Sequence, residues 1–208
     1  NGWAAPLWRY PPQPGSSGTP VILASSLGLH HSSLDVHPDR SLVRHLHRLG
    51  FDVFCFTHRG SEDAVQPHGV VTFDFDDIVG HDVPAAIAAV KNTTGAKRVA
   101  WIGHGFGGQL LVGHLAMSHQ DDIAAAVTIC APVVFPKLGT VARRAATVAS
   151  KLPEHWRLPV RTVQSILTLA AHPSDLARVS LRMEGPMARS LLVNCSEDLA
   201  VGLVKQVA

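Results

Sequence analysis

The chain has 208 residues, 46% of them hydrophobic and 16% charged, with a formal net charge of +2. That length and apolar content fill one well-buried domain. A near-neutral balance with no Lys/Arg-rich run excludes a nucleic-acid surface, and no apolar run approaches the roughly 18 residues of a membrane span.

Trp3, Leu7, Trp8 and Tyr10 predict a short strand or hairpin arm, followed by the turn-rich stretch Pro11 to Gly18. Pro20-Val21-Ile22-Leu23-Ala24 is a continuous apolar run, the pattern of a strand covered on both faces. Ser25 to Val36 is a polar loop. Pro38-Asp39 then opens a helix, with Leu42, Leu46 and Leu49 as its buried stripe and Gly50 as its stop. Phe51 to Phe56 is the next strand, and Thr57 to Thr72 the next loop. Asp74, Asp76 and Asp77 read as a helix start ahead of Val79, Val83, Ile87 and Val90, which keep a spacing near 3.6. Arg98 to Ile102 is a strand, Gly107 to Ser118 a helix, and Ile123 to Cys130 a strand closed by Ala131-Pro132. The order β-α-β-α-β-α-β over residues 20–132 predicts a mostly parallel sheet with helices on both faces. Ligands of such sheets sit at the carboxyl ends of the strands, where loops 25–36, 57–72 and 103–108 meet.

After residue 135 the pattern turns helical. Val141, Ala145, Val148 and Leu152 form one stripe, and Val163, Ile166, Leu167 and Ala170 another, with Pro153, Pro159 and Pro173 breaking the segments. A core at 1–134 and a helical cap at 135–208 are expected. The apolar stripe is cap or core first, and an acyl-chain groove or partner surface second.

The stretch Gly103-His104-Gly105-Phe106-Gly107-Gly108 sits between a strand and a helix. It has the outer glycines of a nucleophile elbow, Gly-x-Ser-x-Gly, but the central position is Gly105. The turn that presents a nucleophile is there, without the nucleophile.

Together with Pro20 to Gly28, Asp39 to Leu46, Gly50 to Val53, Thr72 to Asp77 and Asp82 to Ile87, this stretch makes residues 1–135 resemble the α/β-hydrolase fold. The likeness is greatest to the branch of polyhydroxyalkanoate synthases and related bacterial esterase-like proteins. The resemblance implies acyl transfer on an ester or thioester: a Ser or Cys attacks, a His takes its proton, and an Asp or Glu orients the His. Here the nucleophile position is Gly105. The implied oxyanion donors are the backbone N–H groups of Phe106 and Leu27, with Ser26 and His104 bordering the ligand. Ser25-Ser26 stand where the family usually has His-Gly. The triad His would follow the last strand, beyond residue 208. Asp198 is a weak candidate for the triad acid, at the end of a late strand over Leu191 to Val193. The same residues also read as a cap helix stepping through Met187, Leu191, Cys195 and Leu199, and the four-residue step favours the helix.

The remaining constellations have plain readings. His30-His31 with Asp35 and His37 lacks zinc spacing and reads as a polar loop. Neither a metal nor another cofactor is expected. Among the thirteen histidines, His104 reads as a packed side chain before it reads as a catalytic one. Three scattered cysteines without CxxC spacing fit a reduced, cytoplasmic compartment, with Cys55 and Cys130 as buried thiols. Residues 1–15 show no signal-peptide pattern. Both ends read as cut, with the C-terminal part of the core missing.

Three readings follow. The chain is a non-catalytic hydrolase-like protein whose pocket keeps an acyl or carboxylate ligand. Alternatively, it is an ester hydrolase or acyltransferase in truncated or Ser-to-Gly altered form. In the third, it is a subunit of a larger assembly, bound to a protein partner or to its own copy.

Overall fold

The apolar runs become strands because each can be covered from both sides. In a computed structural model that describes residues 2–16, 18–69, 72–117, 120–133, 147–148, 151–162 and 194–207, the elements follow the expected order. Strand β1 (Leu7–Tyr10) leads to β2 (Pro20–Ala24), which is buried at all five positions. Helix α1 (Leu42–Arg48) starts at Ser41, whose hydroxyl accepts the Arg44 N–H. Strand β3 (Asp52–Phe56) is again buried throughout. A one-turn lead-in, Phe75–Asp77, and a π turn, Ile78–Asp82, bring the chain into α2 (Val83–Thr94). Asp74 and Asp77 cap each other's backbone at its start, so these carboxylates serve the helix, as expected. Gly95 ends it with φ +73°. Strand β4 (Val99–His104), helix α3 (Phe106–Met117) and strand β5 (Ile123–Ile129) complete the described sheet.

The sheet order is β1-β3-β2-β4-β5. Strand β1 runs antiparallel to β3, and the other four are mutually parallel. Chain order therefore reverses beside β2: β3 lies on one side of it and β4 on the other. The crevice at the carboxyl ends of β2 and β4 is the topological switch point, where this sheet type places its ligands. Alternation along the strands sorts the core into two halves. Ile22, Ala24, Phe54, Phe56 and Trp101 meet α2 and α3 through Val83, Ile87, Leu110 and Leu111. Val21, Leu23, Val53 and Cys55 face the other way, onto Val43, Leu42 and Leu46 of α1.

Three expectations are corrected. Leu49 does not join the stripe of α1; it is 62% exposed, because the helix turns Val43 inward instead. Cys130 is exposed, not buried, since β5 is the edge of the described sheet and pairs on one side only. Residues 195–200 are extended, not helical. Ser196 bridges antiparallel to Leu29, and β7 (Leu199–Ala200) pairs with β6 (Arg157–Leu158) in a separate ribbon. Backbone bonds to the 28–30 loop outweigh the four-residue apolar step there. The following helix α4 (Val201–Val207) and the residue before it return to the core through Ala200 and Leu203. Of the expected cap stripes, Val141, Ala145, Val163, Ile166, Leu167 and Ala170 lie outside the described residues, as do Leu191 to Val193. Val148 is exposed.

One buried ion pair ties the loop after β3 to the helix layer. Asp82 accepts from Arg59 Nε at 2.9 Å, Nη2 at 2.7 Å and the Arg59 backbone N–H at 2.7 Å. Removing Asp82 leaves the buried Arg59 with the partly exposed Asp77, 3.7 Å from Nη1, as counter-charge. Asp82→Ala is expected to lower the free energy of urea unfolding by about 3–5 kcal/mol, whereas a loss under about 1 kcal/mol would show that water reaches Arg59.

Candidate functional site

Strand β4 and helix α3 join with almost no space between them. Gly105 sits in the left-handed region at φ +52°. Its N–H donates to the Ile129 carbonyl at 2.8 Å, and its own carbonyl accepts from Gly108 and Gln109, both at 3.1 Å. The Gly107 N–H donates to the Ser25 carbonyl at 3.1 Å, which locks the elbow to the end of β2. A Cβ on Gly103 would lie 2.3 Å from the Gly107 carbonyl oxygen, and one on Gly107 would lie 2.4 Å from the Ala24 carbonyl oxygen. These contacts are with backbone, which cannot step aside. From below, the buried Trp101 indole N–H donates to the Gly107 carbonyl at 3.1 Å. Sequence reading did not assign Trp101 to the elbow; only the pairing of strand and helix reveals it.

Gly105 is a different case. A Cβ there would lie 2.3 Å from Ser26 Oγ and 2.9 Å from Ser26 Cβ. The Ser26 hydroxyl fills the place where an elbow nucleophile would start. Its loop is held in shape by the Ser25 hydroxyl donating to the Leu29 carbonyl at 2.7 Å and the Leu29 N–H donating to the Ser26 carbonyl at 3.0 Å. Leu27 is partly buried against the main core. Phe106 is buried at the first position of α3, where helical N–H groups have no intrahelical acceptor and the helix end is partly positive. Its ring meets Phe75 at 5.8 Å and His58 at 5.5 Å, both edge to face. His104 is half-buried at the last position of β4, opposite Ile129.

Asp198 is engaged elsewhere. Its Oδ1 accepts the Arg161 N–H at 3.0 Å, and no histidine is among its hydrogen-bond partners in the described residues. The acidic residue that turns inward is its neighbour Glu197, only 5% exposed. Burial pushes its carboxyl above the usual range. The spacing of residues 195–198 held no sign of this, because the path that buries Cys195, Ser196 and Glu197 together is imposed by the 28–30 loop.

Loops 25–36 and 57–72 do meet, as expected, but through other residues. His30 Nε2 lies 2.7 Å from Asp63 Oδ2, and His31 Nδ1 lies 3.5 Å from the same oxygen. Asp35 does not join them. It receives Arg44 Nε at 2.7 Å and the Tyr10 hydroxyl at 3.1 Å. Burial opposes its ionisation, but the hydrogen bonds from Arg44, Ser41 and Tyr10 prevail and hold its carboxyl below the usual range. His37 is exposed near Asp39. Burial, with His30 alongside, pushes His31 down to about 4. Elsewhere, a cavity of about 290 Å³ lies between the N-terminal arm and α2, lined by Trp3, Pro6, Thr57, Arg59 and Asp82.

Two measurements test this geometry. Gly103→Ala and Gly107→Ala press on backbone and are expected to destabilise by more than about 3 kcal/mol, while Gly105→Ala, facing a side chain, loses about 1–3 kcal/mol. Ser26→Gly is expected to recover part of the Gly105→Ala loss, a coupling of roughly 0.5–3 kcal/mol in a double-mutant cycle; strict additivity would separate the two sites. The second measurement is pH dependence. Burial lowers the affinity of His58 and His114 for a proton. The unfolded chain, with histidines near about 6.5, then binds more protons than the folded one. Stability is therefore expected to fall as pH drops below about 6.5, and His114→Gln to flatten part of that fall in urea titrations.

Comparison with known proteins agrees with this architecture. Residues 19–191 match the sequence profile of the alpha/beta hydrolase fold. Over 100 residues the chain is 32% identical to a tear acid lipase-like protein of Mesocricetus auratus, covering 45% of this chain and 25% of that one. It is 23% identical over 120 residues to epoxide hydrolase A of Mycobacterium tuberculosis, covering 58% of this chain and 34% of that one. The chain thus spans about a quarter to a third of these relatives. Its fold superposes on a carboxylesterase structure from Nitrososphaera gargenis with a TM-score of 0.58 at 14% identity, covering 98% of this chain and 66% of that one. With its parallel sheet, its switch-point crevice and its glycine elbow, the chain belongs to the alpha/beta hydrolase fold family.

Proposed function

We propose that this chain carries the acyl-binding part of an esterase-like protein that performs no elbow-serine catalysis. One observation carries the reading: the nucleophile position is Gly105, and the Ser26 hydroxyl already fills the space a nucleophile's Cβ would need. The backbone around that position is the part of an esterase that survives loss of the side chain. The Phe106 N–H at the start of α3 and the Leu27 N–H of the facing loop are the donors we assign to a bound carboxylate or ester carbonyl. Ser26 and His104 border the same pocket. Within the family we place the chain near the polyhydroxyalkanoate synthases and bacterial esterase-like proteins. We place the core at residues 1–134 and the cap at 135–208. The ligand is a small acyl or carboxylate compound, for which lipase and carboxylesterase relatives supply the precedent.

The test is turnover and binding on the full-length protein. No hydrolysis of p-nitrophenyl butyrate above buffer is expected, and no labelling by a fluorophosphonate. Butyrate is expected to bind in calorimetry, and Phe106→Pro, which deletes the donor N–H, to abolish that binding with the fold intact by circular dichroism. Hydrolysis that disappears in Ser26→Ala would make Ser26 a nucleophile and overturn the reading.

A further inference from the structure

We propose that His30, His31 and Asp63 form a binding site for a divalent metal ion of the zinc class, with the buried carboxylate of Glu197 nearby. The site is independent of the elbow reading. His30 Nε2, His31 Nδ1 and a carboxylate oxygen of Asp63 all lie within 4.8 Å of one another. Zinc bonded tetrahedrally at 2.0–2.2 Å holds its ligand atoms about 3.3 Å apart. The 2.7 Å and 3.5 Å separations from Asp63 Oδ2 to the two imidazoles straddle that value. Small side-chain movements suffice to admit an ion.

Two orphaned atoms point to the same ligand. His31 Nδ1 is buried without a hydrogen-bond partner among the described residues, although Asp63 is near. Glu197 Oε1 is likewise buried and unpartnered. Glu197 belongs to the segment whose backbone is bonded to the histidine loop: the His30 N–H donates to the Cys195 carbonyl at 2.7 Å, and the Glu197 N–H to the Gly28 carbonyl at 2.9 Å. Its carboxyl feels the charges of His30, Glu62 and Asp63 directly. The Glu62 backbone holds the Glu197 carboxyl, but its Oε1 is left buried without a partner, which is costly, and a nearby cation would offset that cost. Two imidazoles with one carboxylate and no thiolate suit zinc among the common divalent ions, with the fourth position open to water.

The surroundings orient the ligands. Trp8 stacks on His31 with ring centres 4.7 Å apart, which holds that imidazole in plane. Ser32 Oγ lies 2.9 Å from His30 Nδ1. In this structure His30 Nδ1 accepts the Ser32 N–H at 3.3 Å; with a metal on Nε2 the ring proton moves to Nδ1, which gives up that bond and donates to Ser32 Oγ as the outer-shell partner. The ligands come from the loop after β2 and the loop after β3, so a bound ion bolts the β3 loop to the loop that holds Ser26 against the elbow, which residues 195–197 already hold through backbone bonds.

The test uses the full-length protein, stripped with a chelator and titrated with Zn2+ and separately with Co2+. One equivalent is expected to survive gel filtration and to raise the unfolding temperature, with Co2+ showing the visible bands of four-coordinate cobalt. Outer-shell losses already weaken metal sites by about 10–100-fold, so H31Q and D63N are expected to weaken binding by more than about 100-fold. D35N, whose carboxylate serves Arg44, is expected to bind as the unmodified protein does. Absence of a retained equivalent, or retention unchanged in H31Q and D63N, overturns the proposal. If those variants fail to fold, the cobalt spectrum decides: six-coordinate, solvent-like bands reject the site.

Discussion

Backbone meets backbone at the elbow, and much of the molecule is arranged to permit it. Gly107 lies against Ala24 at the end of β2, and Gly103 lies against Gly107 across the turn. Neither position has room for a methyl group. This contact sets how closely α3 approaches the sheet, and so where Phe106 and the positive end of the helix come to rest. Trp101 holds the Gly107 carbonyl from within the core, and the Ser25 carbonyl holds the Gly107 N–H from above. A substitution at either glycine would move strand and helix apart, and with them every group at the switch point.

In this setting Gly105 is the exception. Its neighbour is a side chain, and a small polar one. Elbow nucleophiles work because the turn lifts one side chain clear of its surroundings. Here the turn remains, but the opposite loop leans into the space through Ser26. The loop is free to do so because its own hydrogen bonds, Ser25 to Leu29 and Leu29 to Ser26, close it without the elbow. The result is a tight turn whose central position meets the Ser26 side chain of the facing loop.

The second organised region lies beside it. His30, His31, Asp63 and Glu197 come from three stretches far apart in sequence, and none of them is exposed. A cluster of this kind adds no hydrophobic stabilisation. Its worth lies in specifying how the loops after β2 and β3 and the segment at 195–197 sit together. The buried Arg59–Asp82 pair does similar work on the other side of the β3 loop, joining it to the start of α2. The Arg59–Asp82 pair, bonded at several points in one geometry, favours that geometry over others.

Much of the fold was legible in the residues themselves. Continuous apolar runs at 20–24 and 52–56, 3.6-residue spacing at 79–90 and glycines at 103, 105, 107 and 108 depend on local periodicity and backbone freedom, and these are properties of short stretches. They determined the strands, the helices, the mostly parallel order and the glycine elbow between β4 and α3. The site's side-chain contacts were not legible. His30 and His31 stand near Asp35 and His37 in sequence, yet they meet Asp63, because Asp35 is drawn to Arg44 and Tyr10. Residues 195–199 carry a helical spacing, yet they run extended, because the 28–30 loop offers them backbone partners. That Ser26 fills the place of a nucleophile follows from how β2 and β4 lie side by side. The sequence alone determined which elements form and that Gly105 carries no nucleophile. Only the tertiary structure decided what stands in the nucleophile's place and which charges share a pocket, since those depend on distances between segments that local pattern does not encode.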